Sequence, residues 1–220
     1  ATSACFEAIA PALRSDALLM EVGSTKSDIV AAALNTLGDK LHCFVPVHPI
    51  AGKEVAGVEH SDADLYKDRA LIMTPMASSG ASQVQLAKQI WKSLGSYISE
   101  LSPAAHDAAF AAVSHLPHVL AYAVIRGIFQ QKNGADLIAL GGPGFRDFSR
   151  IAASDPVVWR DILGTNREQV LLQIAHFKEA LNDFETVIQK NDPQALEDMI
   201  RQASDLRFNW RMGASQNSKE

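Results

Sequence analysis

The hydrophobic pattern of the chain changes character near residue 82, and this change limits the fold more than any other feature. Before it, short apolar runs at residues 17–22, 41–47 and 70–73 alternate with segments of helical spacing such as Ser27 to Leu37. Strands alternating with helices predict βαβ units and a parallel sheet. After it, long helical patterns follow one another with short breaks. We therefore expect two domains, residues 1–81 and 82–220.

The predicted sheet is small for a parallel α/β domain. Two or three strands offer too little surface for helices to cover both faces. The chain also opens in helical spacing (Phe6, Ile9, Leu13), with no strand before it. We expect that the first part of this domain is missing from the chain.

The segment from Ala104 to Gln131 is apolar on almost every side of its predicted helix. Such a helix is expected to be buried all round. Its place would be the centre of a helical bundle or an interface between subunits.

Composition argues against two classes of partner. The net charge is -5 and no run is dense in Lys or Arg, so neither nucleic acid nor an anionic membrane is favoured. No stretch approaches the roughly 18 consecutive apolar residues of a membrane-spanning helix. Cys5 and Cys43 lie in apolar segments, which is typical of free thiols in a reducing compartment. We expect a cytoplasmic protein.

Two groups of polar residues follow predicted strands. Ligands of open parallel sheets bind at the carboxyl ends of the strands. Gly23, Ser24, Thr25 and Lys26 follow the first apolar run and suit an anion or a ribose. A simple helix cap would explain the same residues. His48 follows the next run, where Pro49 favours an extended backbone, and its imidazole suits general acid or base chemistry. A structural histidine is the alternative.

Polar residues also recur within the apolar helix. Asp107, Ser114 and His118 share one face, and buried polar groups need partners or a cavity. Pro117 frees a backbone carbonyl and should bend the helix there. His115 and His118 have the spacing of metal ligands but no third ligand follows, so we expect no metal. A core histidine is the plain alternative for His115.

A glycine-rich segment near residue 144 carries two arginines. Gly141, Gly142 and Gly144 surround a proline and predict a shaped loop, and Arg146 and Arg150 can bind carboxylates. A surface loop with solvated arginines is the alternative. No phosphate-binding loop of the nucleoside triphosphate type is present in the sequence.

Taken in order, these motifs resemble the prephenate/arogenate dehydrogenase family of tyrosine biosynthesis. The resemblance reaches to about Leu206 and rests on four segments: Glu21-Val22-Gly23-Ser24-Thr25-Lys26, His48-Pro49-Ile50-Ala51-Gly52, Ser114-His115-Leu116-Pro117-His118, and Gly144-Phe145-Arg146-Asp147-Phe148-Ser149-Arg150 leading to Trp159.

The resemblance implies a fold and an activity. The fold is an α/β partial Rossmann domain with a parallel sheet, followed by an all-α helical dimerisation domain. The activity is NAD- or NADP-dependent oxidative decarboxylation of prephenate to 4-hydroxyphenylpyruvate, in a homodimer. Arogenate, giving tyrosine, is the alternative substrate.

The resemblance also implies roles for individual residues. His48 would accept a hydrogen bond from the ring hydroxyl of the substrate and draw off its proton, with Ser24 beside it. Arg150 would bind a substrate carboxylate and His118 would line the pocket. The expected shaping, gating or supporting residues are Gly144, Trp159, Glu54, Asp147 and Asp107. Gly23, Ser24 and His48 are the candidate cofactor contacts.

One element of a dinucleotide site has no counterpart in the sequence. The Gly-x-Gly-x-x-Gly fingerprint is not found in these 220 residues. We therefore expect a chain truncated at its front, which holds the substrate side of the reaction and needs other residues for hydride transfer. A non-catalytic dimeric module that only binds the substrate is the competing hypothesis.

Overall fold

The structure is a computed structural model that describes residues 2–52 and 57–210. It forms two compact units, residues 1–170 and residues 171–220. The order predicted from sequence, an α/β region followed by helices, is confirmed. The division into domains at residue 82 stays a prediction.

The sheet has four strands in the order β1-β2-β3-β4. Their bounds are β1 Leu19–Glu21, β2 Phe44–Pro49, β3 Ala70–Met73 and β4 Tyr97–Glu100. The first three coincide with the three apolar runs in the sequence, since buried strands are built from continuous apolar residues. His48 is therefore inside β2, opposite Ile72 of β3, rather than just beyond the strand.

The sheet is mixed, which corrects the expectation of a fully parallel one. β1 pairs with β2 and β3 pairs with β4 in parallel, but β2 and β3 are antiparallel. Parallel neighbours need a crossover connection, usually a helix. In the described part of the link between β2 and β3 there is only a short 3₁₀ turn, Val58–His60, so β3 runs back beside β2.

A fourth strand lies where the sequence predicted only helices. Helix α3 (Ala81–Ser93) crosses over from β3 to β4, completing a parallel βαβ unit. Three of the four β4 residues are exposed, and such a short edge strand carries little apolar signal. The expectation of an all-helical region from residue 82 was wrong at this point.

Alternate side chains of β2 pack on opposite faces of the sheet. Val45 and Val47 join a core with Trp91 of α3. Phe44 packs with Phe6 of α1 (Thr2–Ile9) and with residues of α2 (Ser27–Thr36). Helices thus cover both faces of β2, which holds the end of that strand in place.

The remaining described residues are mostly helical. The helices are α4 Pro103–Phe110, α5 Leu116–Phe129, α6 Gly134–Ala139, α7 Pro143–Ser149, α8 Pro156–Thr165, α9 Arg167–Gln189 and α10 Pro193–Asn209. Three begin with a cap followed by proline: Ser102, Asp155 and Asp192 each accept a hydrogen bond from a first-turn amide. Helix α7 occupies the segment predicted as a shaped loop, because Pro143 starts a helical turn after Gly142.

A π-helical turn, Ala111–His115, joins α4 to α5. It precedes Pro117, which has no amide hydrogen to bond to the preceding turn. The predicted local irregularity therefore takes the form of one wide turn, and such turns are frequent at functional sites.

The apolar helix is not buried on every side, contrary to the sequence expectation. Val113 is 71% exposed and Phe129 65% exposed, whereas His106, Asp107 and His115 are buried. By length and composition the run Pro103–Phe129 could also cross a membrane, and 17% of its most apolar window is buried. Within residues 1–170 the polar side of this run faces inward and much of its apolar side faces outward.

The unit formed by residues 171–220 contains most of α9 and, in its described part, α10. Phe184, Ile200, Ala203 and Phe208 line an apolar cavity within this unit. Ile200 and Phe208 are also substantially exposed.

Candidate active site

A cavity of about 290 Å³ lies at the end of β2. Ser24, His48, His115 and Trp159 line it, together with apolar residues of the π-helical region. Ser24 comes from the turn after β1, and His48 from β2. The sheet edge and the helices of residues 1–170 therefore contribute to one pocket.

The His48 ring contacts the side chains of His106 and Phe110. Its Nδ1 is 2.8 Å from Nε2 of His106, and the ring of Phe110 lies against it at a centroid distance of 4.8 Å. Burial, together with nearby His106 and Lys26, lowers the pKa of His48 from 6.5 to about 3. The imidazole is thus neutral at physiological pH and has a lone pair to offer to a hydrogen-bond donor.

His106 connects His48 to a carboxylate. It is fully buried, stacks on Phe110, and places Nδ1 2.8 Å from Oδ1 of Asp107. Burial acts to raise the pKa of Asp107, but hydrogen bonds from His106, Ser27 and Lys26 lower it to about 2. Asp107 is therefore an ionised acceptor.

Asp107 also fixes the start of α2. Its carboxylate accepts hydrogen bonds from the backbone amides of Lys26 and Ser27, both at 2.8 Å. These amides are among the first of α2, which have no partner within the helix. Asp107 acts from 80 residues away as a helix cap.

The turn after β1 is shaped by Gly23. A side chain at this position would meet the end of Ile29 at 2.8 Å, and its amide donates to Glu21 Oε2 at 2.8 Å. Lys26 does not offer its charge to this turn, contrary to the sequence expectation. Its ammonium is buried and donates to Glu21 at 2.5 Å and to the Val47 carbonyl at 2.7 Å.

His118 reaches the cavity wall through Trp159. The two rings stack at a centroid distance of 3.5 Å, and the Ser114 carbonyl accepts a hydrogen bond from His118 Nδ1 at 2.9 Å. Burial lowers the pKa of His118. Trp159 lines the cavity and His118 stacks on it, so His118 supports the cavity wall without lining the cavity.

His115 has a different partner. The side-chain amide of Asn166 donates to the backbone carbonyl of Asp107 and lies 3.1 Å from His115 Nδ1. With Nδ1 as acceptor, the neutral His115 ring keeps its proton on Nε2. Burial lowers its pKa to about 4.

The predicted carboxylate-binding segment lies on the surface. Gly144, Asp147 and Arg150 are exposed, and Asp147 forms an ion pair with Arg146. Arg150 begins a 3₁₀ turn, Arg150–Ala153, and is not among the residues that line the cavity. Glu54 lies outside the described residues.

Sequence reasoning missed His106, Phe110 and Asn166. A signal for His106 did exist, since it stands beside Asp107 in an otherwise apolar helix. In the part of the chain that the structure describes, no group of three His, Cys, Asp or Glu side chains is placed to hold a metal ion.

A second cavity, of about 410 Å³, adjoins the turn after β1. Hydroxyls of Thr2, Ser3, Thr25 and Thr165 line it together with carboxylates of Asp28 and Asp161. Hydroxyls and carboxylates suit the sugar and amide groups of a nicotinamide nucleotide, whereas two carboxylates would repel its phosphates. The residues fit the nicotinamide end of such a cofactor.

The sheet edge carries a histidine, a glycine turn and hydroxyls, and a helical region follows it. This arrangement fits the class of NAD(P)-dependent dehydrogenases that have a nucleotide-binding and a helical domain. Residues 1–100 match the model of the prephenate dehydrogenase nucleotide-binding domain, and residues 102–202 match that of the prephenate dehydrogenase dimerisation domain. The chain belongs to the prephenate dehydrogenase family.

Individual relatives agree with this assignment. The chain is 33% identical over 205 residues to a cyclohexadienyl dehydrogenase of Zymomonas mobilis, covering 91% of this chain and 69% of that protein. It is 30% identical to a Bacillus subtilis prephenate dehydrogenase over 86% of this chain, and spans 51% of that relative. The fold matches prephenate dehydrogenase from A. aeolicus, solved with hydroxyphenyl propionate and NAD+, with a TM-score of 0.87, 34% identity, and coverage of 94% and 71% of the two chains.

Proposed function

We propose that the protein containing this chain catalyses the NAD(P)-dependent oxidative decarboxylation of prephenate to 4-hydroxyphenylpyruvate. The observation that carries the proposal is His48, a neutral, half-buried histidine on the wall of a cavity that Ser24 and Trp159 also line. Membership of the prephenate dehydrogenase family supplies the reaction class.

His48 acts on the ring hydroxyl of the substrate. A bound nicotinamide would accept the hydride from the ring carbon that carries this hydroxyl. Positive charge then develops on the carbon and the hydroxyl becomes more acidic, so His48 accepts a strengthening hydrogen bond from it. Carbon dioxide leaves and the ring becomes aromatic, which restores electron density to the oxygen.

The proton balance suits a weak base. The hydroxyl proton is present in the substrate and again in the phenol of the product, so the reaction as a whole releases no proton. A histidine with a pKa of about 3 polarises the O–H bond and lets the oxygen keep its proton at the end.

The other predicted residues have proposed roles around this step. Ser24 hydrogen-bonds the hydroxyl end of the substrate beside His48, and His118 backs Trp159 at the cavity wall. Arg150 binds a substrate carboxylate through its planar guanidinium. Gly144, Asp147 and Glu54 are proposed to shape or gate the entrance, and Gly23, Ser24 and His48 to contact the cofactor.

A homodimer in the cytoplasm is the proposed state of the protein. Residues 102–202 match a dimerisation domain, and the exposed apolar side of α5 includes Val124 and Phe129. A second copy of the chain would cover such a surface, because exposed apolar patches are typical of interfaces.

The test is the appearance of reduced nicotinamide absorbance with the purified full-length protein. NAD and NADP are each combined with prephenate and with arogenate. We expect turnover with prephenate. Turnover with arogenate alone would make arogenate the substrate in place of prephenate. No turnover with either compound would contradict the proposed function.

A further inference from the structure

His106 does not line the cavity, yet it is the most enclosed residue of the histidine cluster. Its side chain is fully buried between His48, Asp107 and Phe110. Both ring nitrogens lie 2.8 Å from a partner. A buried group with two short hydrogen bonds has one fixed orientation, so it can transmit that order to its neighbour.

The donor and acceptor of each of these hydrogen bonds follow from the charge of Asp107. The Asp107 carboxylate already accepts hydrogen bonds from the amides of Lys26 and Ser27, and it acts as an acceptor toward His106 as well. His106 Nδ1 must then donate. When this is the only hydrogen on the ring nitrogens of His106, its Nε2 is an acceptor, and the hydrogen between the two histidines belongs to His48 Nδ1.

We propose that His106 is a positioning residue which holds His48 in the tautomer with its proton on Nδ1 and its lone pair on Nε2. This inference rests on the proposed function, because it explains how Nε2 accepts a hydrogen bond from the substrate hydroxyl. The Nδ1–H tautomer is the less common one for a neutral imidazole in water, so a partner is required to select it. His106 and Asp107 supply that partner.

The arrangement also stabilises charge as the reaction proceeds. As hydride leaves the substrate, the hydroxyl proton shifts toward His48 Nε2 and the O–H bonding electrons shift onto the oxygen, so the ring of His48 gains positive character. Asp107 lies behind His106 in a buried setting where its negative charge is weakly screened. When carbon dioxide leaves, its bonding electrons enter the ring and the proton stays on the phenol oxygen, so atoms and charge balance without a further reactant.

The first test is neutron diffraction from deuterium-exchanged crystals of the wild-type full-length protein. We expect deuterium on Nδ1 of His48 and Nδ1 of His106, and none on Nε2 of His48. Deuterium on His48 Nε2 with Nδ1 bare would overturn the inference. Because this readout needs no turnover, it stands apart from the absorbance assay, whose failure would count against the proposed function alone.

The second test compares two variants of the full-length protein, His106→Gln and His106→Phe. The oxygen and nitrogen of a Gln amide can accept from His48 and donate to Asp107, whereas Phe fills similar space and can do neither. We expect His106→Phe to lower kcat about 10- to 100-fold with little change in KM, and His106→Gln to recover much of the loss. Equal kcat values for the two variants, or a loss confined to KM, would contradict the positioning role.

A matched control for these variants is His176→Phe. His176 is an exposed residue of α9 outside the cavity. The kcat of the His176→Phe variant should equal that of the wild type. If His106→Phe does not fold, the neutron result on the wild type still tests the positioning role of His106.

Discussion

Two predicted parts of the site are built very differently. His106 and Asp107, which lie behind His48, are buried, and each of them has two or more hydrogen bonds of 2.8 Å. The arginine segment around Arg150 is exposed, in a short helix and a 3₁₀ turn away from the cavity lining.

This difference separates two physical tasks. Polarising one O–H bond requires a fixed nitrogen in a dry setting, which only a packed core provides. Capturing an anionic carboxylate requires a charge that approaching substrate can reach, and an exposed guanidinium meets that need. We therefore expect the histidine region to determine turnover and the arginine segment to determine affinity.

The largest expected effect tests the histidine side of the comparison. His48→Asn in the full-length protein removes the acceptor of the substrate hydroxyl and should lower kcat by about two orders of magnitude or more. Steady-state kinetics with saturating NAD and prephenate measures it, with His176→Asn as the control. A kcat close to that of the wild type would remove His48 from the mechanism.

The next effect tests the arginine side. Arg150→Ala should raise KM for prephenate roughly 10- to 100-fold, which corresponds to a lost charged hydrogen bond, and leave kcat within a few-fold. Arg146→Ala is the matched comparison, because Arg146 is an equally exposed arginine paired with Asp147. A larger rise of KM in Arg146→Ala would assign the carboxylate to Arg146.

Stability should distinguish the two regions as well. Asp107→Asn weakens the cap of α2 and the bond to His106, and should lower the free energy of unfolding by about 1–3 kcal/mol. Asp147→Asn, at an exposed ion pair, should change it by less than about 1 kcal/mol. Urea unfolding followed by circular dichroism gives both values, and equal losses would mean that Asp107 is not a structural anchor.

The smallest expected effect is on the pH dependence of stability. Burial lowers the pKa of His48 from 6.5 to about 3 and that of His115 from 6.5 to about 4. The unfolded chain then binds more protons than the folded one below pH 6.5, so stability falls as the pH drops from 6.5 toward 4.

The wild type and His48→Asn should differ in this respect. Without His48 the decline in the urea midpoint over that pH range becomes shallower. An identical decline in the two proteins would show that His48 is not buried in its neutral form.

Much of the fold was predictable because its signal is local. The apolar run at residues 70–73 has the bounds of β3, and the helical spacing from Ser27 to Leu37 corresponds to α2, Ser27–Thr36. The antiparallel pairing of β3 and the strand β4 were not predictable, since they depend on which backbone lies alongside. The exposure of Phe129 was missed because the pattern shows that a side chain is apolar but not what covers it.

The sequence also predicted some of the residues of the site and missed others. The sequence placed Ser24 and His48 near the ends of neighbouring strands, and both line one cavity. The Lys26 side chain points inward because it donates hydrogen bonds to Glu21 and to the Val47 carbonyl. The contact of His106 with His48 joins residues that are 58 positions apart in the sequence. Tertiary packing alone brings these groups together.

The most direct test of the central claim is a crystal structure of the full-length protein with 4-hydroxyphenylpyruvate and NAD bound. We expect the phenol oxygen about 2.6–3.2 Å from His48 Nε2, with the hydrogen bonds from His48 to His106 and from His106 to Asp107 intact. A ligand bound with its phenol away from His48, or with His48 turned so that Nδ1 faces the ligand, would contradict the proposed role of His48.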